Sequence, residues 1–163
     1  MNSSMPTVSL RYQFRQPFHV PADLAFQWCT DFGPSDGKLF AQPTRRTVRW
    51  LNKDALVMTD VTHPEGGTRT IRRLVRIDRH GRAWTNTHLD GPFRHSQYWY
   101  RVVTDGPRRS HLEFVGLRLV RTARRLSNSE VARRAEEERR SDSGEWRRYL
   151  APALERECAR RST

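Results

Sequence analysis

Between Lys53 and Pro107 the chain is interrupted by closely spaced turn signals: Lys53-Asp54, Pro64-Glu65-Gly66-Gly67, His80-Gly81, Gly91-Pro92 and Asp105-Gly106-Pro107. Glycine and proline at such points supply the backbone angles that tight hairpins need. The intervening segments, Thr44–Asn52, Ala55–His63, Thr68–Asp78, Arg82–Leu89, Phe93–Thr104 and Ser110–Val120, read as strands. Connections this short cannot carry a parallel crossover, so neighbouring strands must run antiparallel, and a meander is the economical topology. A further strand comes first. Val8, Leu10, Tyr12, Phe14 and Phe18 alternate with Ser9, Arg11, Gln13, Arg15 and Pro17, the period of two that a half-buried strand shows.

Two short helices follow this first strand. Pro21-Ala22-Asp23 opens one, with Leu24, Ala25, Trp28, Cys29 and Phe32 at helical spacing, and Gly33-Pro34-Ser35 ends it. Asp36 to Ala41 forms the second. Beyond Val120 the pattern turns helical for good. Ser127-Asn128-Ser129 with Glu130 is an N-cap, and Glu136-Glu137-Glu138 before Arg139-Arg140 supplies charge pairs along a solvated face. Trp146, Tyr149, Leu150, Ala153, Leu154 and Cys158 form an apolar stripe, in which Pro152 either kinks the helix or begins a new segment. The length of 163 residues suits one domain, residues 1–163, with neither internal repeat nor low-complexity linker.

This order of elements resembles the START/SRPBCC superfamily, which includes birch-pollen-allergen-like proteins, lipid-transfer START domains and polyketide cyclases/dehydrases. Phe18-His19-Val20-Pro21-Ala22-Asp23-Leu24-Ala25-Phe26-Gln27-Trp28 is similar to the segment in which the first strand of those proteins runs into a proline-started helix. Glu145-Trp146-Arg147-Arg148-Tyr149-Leu150, with Leu154-Glu155 beyond, is similar to their C-terminal helix. The resemblance implies an α+β helix-grip fold: a seven-stranded antiparallel curved sheet, two short helices after strand 1, and a long C-terminal helix over the sheet. It also implies an internal cavity for a small hydrophobic ligand such as a lipid, isoprenoid or polyketide. The charged segment from Arg121 to Arg140 departs from the simplest members.

The turns permit a register argument. A two-residue His80-Gly81 hairpin sets Ile77 against Trp84, Val75 against Asn86 and Arg73 against His88. A Gly91-Pro92 loop sets His88 against His95, Asn86 against Gln97 and Trp84 against Trp99. Four loop residues after Asp105 set Trp99 against Gly116 and Val103 against Leu112, and Lys53-Asp54 sets Trp50 against Val57 and Val48 against Thr59. One face then gathers Val48, Trp50, Val57, Val61, Ile71, Val75, Ile77, Trp84, Trp99, Val103, Leu112 and Phe114, together with Arg73, Asn86, His88, His95 and Gln97. The other gathers Arg72, Arg76, Thr85, Thr87, Tyr98, Tyr100 and Glu113, with Leu74, Val115 and Leu117 as apolar exceptions, and Asp60 is expected exposed. Five polar groups on an apolar face need partners. Either they hold the polar end of a ligand, or they pair with one another and tie the strands together. The expected ligand-binding set is Tyr12, Phe14, Trp50, Arg73, Trp84, Asn86, His88, His95, Gln97, Trp99, Phe114, Trp146 and Leu150.

The chemistry signals are sparse. GxSxG, a Walker loop, GxGxxG and HExxH are absent, and no cofactor is implied. His88 and His95 lack an obvious third metal ligand, so no metal site is expected, and Cys29 reads as core. A cyclase- or dehydratase-type enzyme would draw on His88 or His95 as acid or base, with Arg73 stabilising an enolate or carboxylate. The two cysteines, Cys29 and Cys158, have no metal-ligand spacing, no run is apolar enough to span a bilayer, and the N-terminus lacks signal-peptide character, so a cytoplasmic protein is expected. Asn2-Ser3-Ser4 formally matches a glycosylation acceptor. The net charge of +12 rests on arginine, the only lysines being Lys38 and Lys53. Such a field draws in nucleic acid, and a ribosome- or RNA-associated module built on Arg121–Arg140 is the third reading. A genome-wide preference for arginine gives the same composition without any partner.

Overall fold

The computed structural model describes residues 5–40 and 44–161; Asn2-Ser3-Ser4 and Ala41, the expected end of the second helix, lie outside them. Strand β1 (Thr7–Phe18) leads into helix α1 (Ala22–Cys29) and a 3₁₀ turn (Pro34–Leu39). Strands β2 (Arg45–Asn52), β3 (Ala55–Thr62), β4 (Arg69–Asp78), β5 (Ala83–His88), β6 (Gln97–Thr104) and β7 (Ser110–Arg121) follow. All pairings are antiparallel, in the order β1-β7-β6-β5-β4-β3-β2, so β2 to β7 make the expected meander and β1 pairs with its last strand.

The chain ends in helix α2 (Asn128–Glu145), a π-helical turn (Trp146–Leu150) and α3 (Ala151–Arg161), which run on as one long rod. Its start is a capping box: the Glu130 N–H donates to Ser127 Oγ, and the Ser127 N–H donates to Glu130 Oε2 at 2.8 Å. Pro152 neither ends nor splits the helix. It has no N–H to return to the carbonyl four residues back, and the backbone passes it by widening, with the Ala151 N–H bonded to Trp146 O.

Alternation sends Leu10, Tyr12, Phe14, Leu56, Met58, Val75, Ile77, Trp84, Val102, Leu112 and Phe114 to one face, where Trp146, Leu150, Leu154 and Cys158 of the helix meet them. Gly116 faces both Tyr12 and Tyr98, and a Cβ there would lie 2.8 Å from the Tyr12 ring, so its missing side chain is what admits the ring.

The β4–β5 register is as expected, with Arg73, Val75 and Ile77 facing His88, Asn86 and Trp84. Three other registers differ by one residue, each for a local reason. In β2–β3, Asn52 faces Ala55 as the turn requires, but a bulge before it sets Trp50 against Leu56 and Val48 against Met58. Leu56, Met58 and Asp60 therefore point inward, and Val57 and Val61 outward. At the β5–β6 junction the His88 N–H donates to Ser96 O and the His95 N–H to His88 O, both at 2.9 Å, so two residues face one. His95 takes the left-handed conformation this requires, with φ of 71°. The five-residue β6–β7 connection then sets Tyr98 against Gly116 and Val102 against Leu112. Tyr98, Tyr100 and Val102 face inward; Gln97, Trp99 and Val103 face out. Leu74, Val115 and Leu117 do lie on the outer face.

Leu154 is fully buried where α3 packs on α1 and β1. Leu154→Ala should cost about 2–5 kcal/mol in chemical denaturation; a loss under about 1 kcal/mol would mean that α3 is not anchored there.

Candidate functional site

The sheet and the terminal helix do not close completely upon each other. Between them lies a cavity of about 280 Å³. Met58, Ile71, Arg73, Trp84, Asn86, His88, Tyr98, Tyr100, Phe114 and Arg118 line its sheet side. Asp142, Glu145, Trp146 and Leu150 of the helix cover it, and Trp28, Cys29, Phe32, Asp36, Leu39 and Phe40 close one flank with Arg46, while Phe93 comes from the β5–β6 loop. Trp84 stacks on Tyr100 at 4.8 Å, and Tyr100 meets Phe114 edge-on at 5.0 Å, so the middle of the wall is aromatic.

A buried ionic cluster stands at one side. Asp60 receives Arg46 Nε and Nη2 at 2.8 and 2.9 Å and also Arg73 Nη1. The Arg46 and Asp60 side chains are each only 6% exposed. Burial pushes the Asp60 carboxyl up, but Arg46 and Arg73 outweigh it and hold the group below the usual carboxylate range. Two guanidiniums sharing one carboxylate leave a surplus positive charge within the cluster. Arg46 also lies 5.2 Å over the Phe40 ring.

The cluster fixes the state of His88. Arg73 Nε donates to His88 Nε2 at 3.2 Å, so that nitrogen is unprotonated and Nδ1 carries the hydrogen. Burial, and then the Arg73 and Arg118 charges, push the imidazole pKa down to about 3. His88 is therefore a neutral donor. Its buried Nδ1 and the buried Oδ1 of Asn86, two residues away on the same face of β5, have no hydrogen-bond partner among the described residues.

A second network joins sheet to helix. Arg118 Nε donates to Tyr98 Oη at 3.0 Å, and its Nη1 pairs with Glu138. Tyr12 Oη donates to Asp142 Oδ2 at 2.6 Å. Burial lifts the Asp142 carboxyl above its usual range. On the opposite flank, burial and the Asp31 charge raise Asp36 to about 6, with Arg46 opposing.

Of the residues expected to bind ligand, Arg73, Trp84, Asn86, His88, Phe114, Trp146 and Leu150 line the cavity. Tyr12 and Phe14 face the same side but stand behind the wall, Phe14 stacked on Phe114 at 4.5 Å. Trp50, 45% exposed, sits at the sheet edge. His95 lies exposed in the bulge and Gln97 and Trp99 on the outer face, so none of the three reaches the cavity. His88 and His95 are thus not brought together. Asp60, expected exposed, is buried. Sequence reasoning missed Tyr98 and Tyr100 through the bulge at His95, for which no glycine gives a signal. It missed Asp36 and Arg118 because their roles arise between distant elements.

No family model and no curated protein matches this sequence. Solved structures do match in shape. The Zhui aromatase/cyclase from Streptomyces sp. R1128 is 18% identical, with TM-score 0.72 over 96% of this chain and 97% of that one. The di-domain ARO/CYC StfQ of the steffimycin biosynthetic pathway is 12% identical, with TM-score 0.71 over 93% of this chain and 52% of that one. Norcoclaurine synthase from Thalictrum flavum, in complex with dopamine and hydroxybenzaldehyde, is 12% identical, with TM-score 0.63 over 94% and 88%. These likenesses identify the fold as the helix-grip fold of the START/SRPBCC proteins.

Because its folded pKa is below the ordinary 6.5, His88 withholds a proton that the unfolded chain takes up. Its contribution is intact above 6.5 and turns increasingly destabilising as the pH falls toward 3. Nitrogen NMR should show an Nδ1–H tautomer that gains no proton as the pH passes through 6.5; an ordinary titration there would contradict the buried pairing.

Proposed function

We propose that the cavity binds a small, mostly apolar ring compound bearing a carbonyl or hydroxyl group at one end. The observation that carries this reading is the pair of unpartnered buried atoms, His88 Nδ1–H and Asn86 Oδ1, on two residues that line a cavity whose middle is aromatic. Leaving a buried donor or acceptor unmet costs about 1–3 kcal/mol, a cost that a ligand oxygen relieves. The histidine offers a donor and the asparagine an acceptor, so a ring bearing a carbonyl and a hydroxyl that do not bond each other meets both. A volume of about 280 Å³ lies just below the range of ordinary ligand sites, roughly 300–1,000 Å³, and favours a compact ring system over a long acyl chain. Hydroxybenzaldehyde, held by the norcoclaurine synthase structure, is a molecule of this kind.

Trp28, Trp84 and Trp146 line the cavity, so tryptophan fluorescence reports occupancy. 3-Hydroxybenzaldehyde, whose hydroxyl and carbonyl are too far apart to bond each other, should quench it saturably. His88→Phe and Asn86→Leu should each weaken binding by about 1–3 kcal/mol, roughly 5- to 150-fold, while the fold stays intact. Wild-type affinity in both variants, or no saturable quenching by the wild type, would end this reading.

A second reading, a cyclase- or dehydratase-type enzyme in the same cavity, draws on Asp36. With a pKa of about 6 it exchanges a proton near neutral pH, whereas His88 does not. As base, Asp36 would take the α-proton of a β-hydroxy ketone, and the surplus charge at Arg73 would stabilise the enolate. The protonated Asp36 would return that proton to the β-hydroxyl as the C–O bond breaks, so that it leaves as water. Conversion of 4-hydroxy-4-phenylbutan-2-one to benzalacetone, followed by absorbance, should decline as the pH falls below about 6 and vanish in Asp36→Asn. Turnover that survives this substitution would exclude Asp36 as the base.

A further inference from the structure

The terminal helix covers only the inner face of the sheet, and the outer face carries several exposed arginines, among them Arg45 of β2 and Arg121 of β7. In the order β1-β7-β6-β5-β4-β3-β2, Arg11 stands on β1, Arg101 on β6, Arg76 on β4 and Arg49 on β2. The register places all four on the outer face: Arg49 faces Val57, Arg76 faces Thr85, Arg101 faces Glu113 and Arg11 faces Leu117. Each is exposed, and none takes part in an ion pair among the described residues. Glu113 beside Arg101 is taken up by Arg15 at 3.1 Å, and Arg72 on the same face is taken up by Asp90. Neighbouring strands lie about 4.8 Å apart and residues about 3.4 Å apart along a strand. Arg49, Arg76 and Arg101, each two residues out of register with the next, therefore stand roughly 12 Å apart, and Arg11, four residues out of register with Arg101, roughly 17 Å from it.

Apart from Glu113 and Arg121 of β7, the strands between them contribute uncharged groups. Thr85 and Thr87 lie on β5 and Val115 on β7, with Trp99 of β6 facing Thr85 and Val115 and preceding Arg101 by two residues. A partly exposed indole among guanidiniums and hydroxyls is the composition of a surface that stacks a base while holding phosphates. The sheet face projects no helix or ribbon that could enter a duplex groove. The basic helix segment is different. Arg124, Arg133, Arg139 and Arg140 are occupied by Glu130, Glu137 and Glu136, so four of the arginines there are already compensated within the segment.

From this juxtaposition we infer that the outer face of the sheet is a binding surface for single-stranded nucleic acid, with Arg11, Arg49, Arg76 and Arg101 on phosphates and Trp99 under a base. It is independent of the cavity, which opens on the other side of the sheet.

The test is fluorescence anisotropy of the full chain with a labelled mixed-sequence 20-mer, as RNA and as DNA, at several salt concentrations. The wild type should bind with a steep salt dependence. Arg11→Gln/Arg49→Gln/Arg76→Gln/Arg101→Gln should weaken binding at least tenfold and flatten the slope by about 0.7 per lost phosphate contact. Arg133→Gln/Arg134→Gln/Arg139→Gln/Arg140→Gln removes the same charge from the helix and should have a much smaller effect. Trp99→Ala should weaken binding several-fold at unchanged slope. Should the fourfold sheet variant not fold, the pairs Arg49→Gln/Arg76→Gln and Arg11→Gln/Arg101→Gln share the load, each flattening the slope by about half as much. Equal losses in the sheet and helix variants would show a diffuse charge effect and overturn the assignment. So would binding to vesicles containing phosphatidylserine with none to either nucleic acid.

Discussion

Asp60 lies on β3 between Arg46 of β2 and Arg73 of β4, and Arg73 reaches on to His88 of β5. A single carboxylate thereby organises four adjacent strands. Burying three charges is expensive, and the cluster persists only because the carboxylate is bonded twice by one guanidinium and again by the other. A wholly apolar replacement would serve stability as well or better. It would not hold an imidazole neutral with its hydrogen on Nδ1. The chemical character of the cavity wall therefore depends on this cluster more than on any apolar contact.

The helix side has its own anchor. Tyr12 bonds Asp142, and Arg118 joins Tyr98 to Glu138 while lying 4.8 Å over the Phe93 ring. The two polar networks stand at the margins of an aromatic middle formed by Trp84, Tyr100, Phe114 and Trp146. Rigid rings leaning on one another at 4.8–6.4 Å leave space that flexible aliphatic chains would fill. Sheet and helix are pinned by directional bonds at the rim, so the interior cannot collapse to remove the gap. The cavity is a consequence of how the walls are held apart.

Most of the architecture was legible because it follows from strict alternation and from turn chemistry. The period of two in β1, the glycine- and proline-marked hairpins and the Ser127–Glu130 box each declare themselves locally. The cavity was half legible. Arg73, Asn86 and His88 could be placed because the β4–β5 register follows from the His80-Gly81 turn alone. Everything beyond that turn depended on counting through β5–β6, where His95 adopts a conformation usually left to glycine. One extra residue there exchanged Trp99 for Tyr98 and Tyr100. The bulge before Asn52 did the same to β3 and turned Asp60 from an exposed carboxylate into the centre of the ionic cluster. Bulges are set by backbone geometry, and alternation carries no trace of them until both partner strands are known.

The arginine content has two structural explanations. Arg46, Arg73 and Arg118 are substantially buried, and each uses what lysine lacks: a planar fork for two acceptors, a face to lie on an aromatic ring, or both. A compositional preference for arginine could supply the residue, but only the geometry retains it there. On the outer face no such retention operates. Arg11, Arg49, Arg76 and Arg101 contribute no internal pair, and mutual repulsion across a sheet is mildly unfavourable. The fold would be at least as stable with neutral residues in their places. Whatever keeps them, and Arg45 and Arg121 beside them on the same face, must therefore lie outside the molecule, in its composition or in a partner.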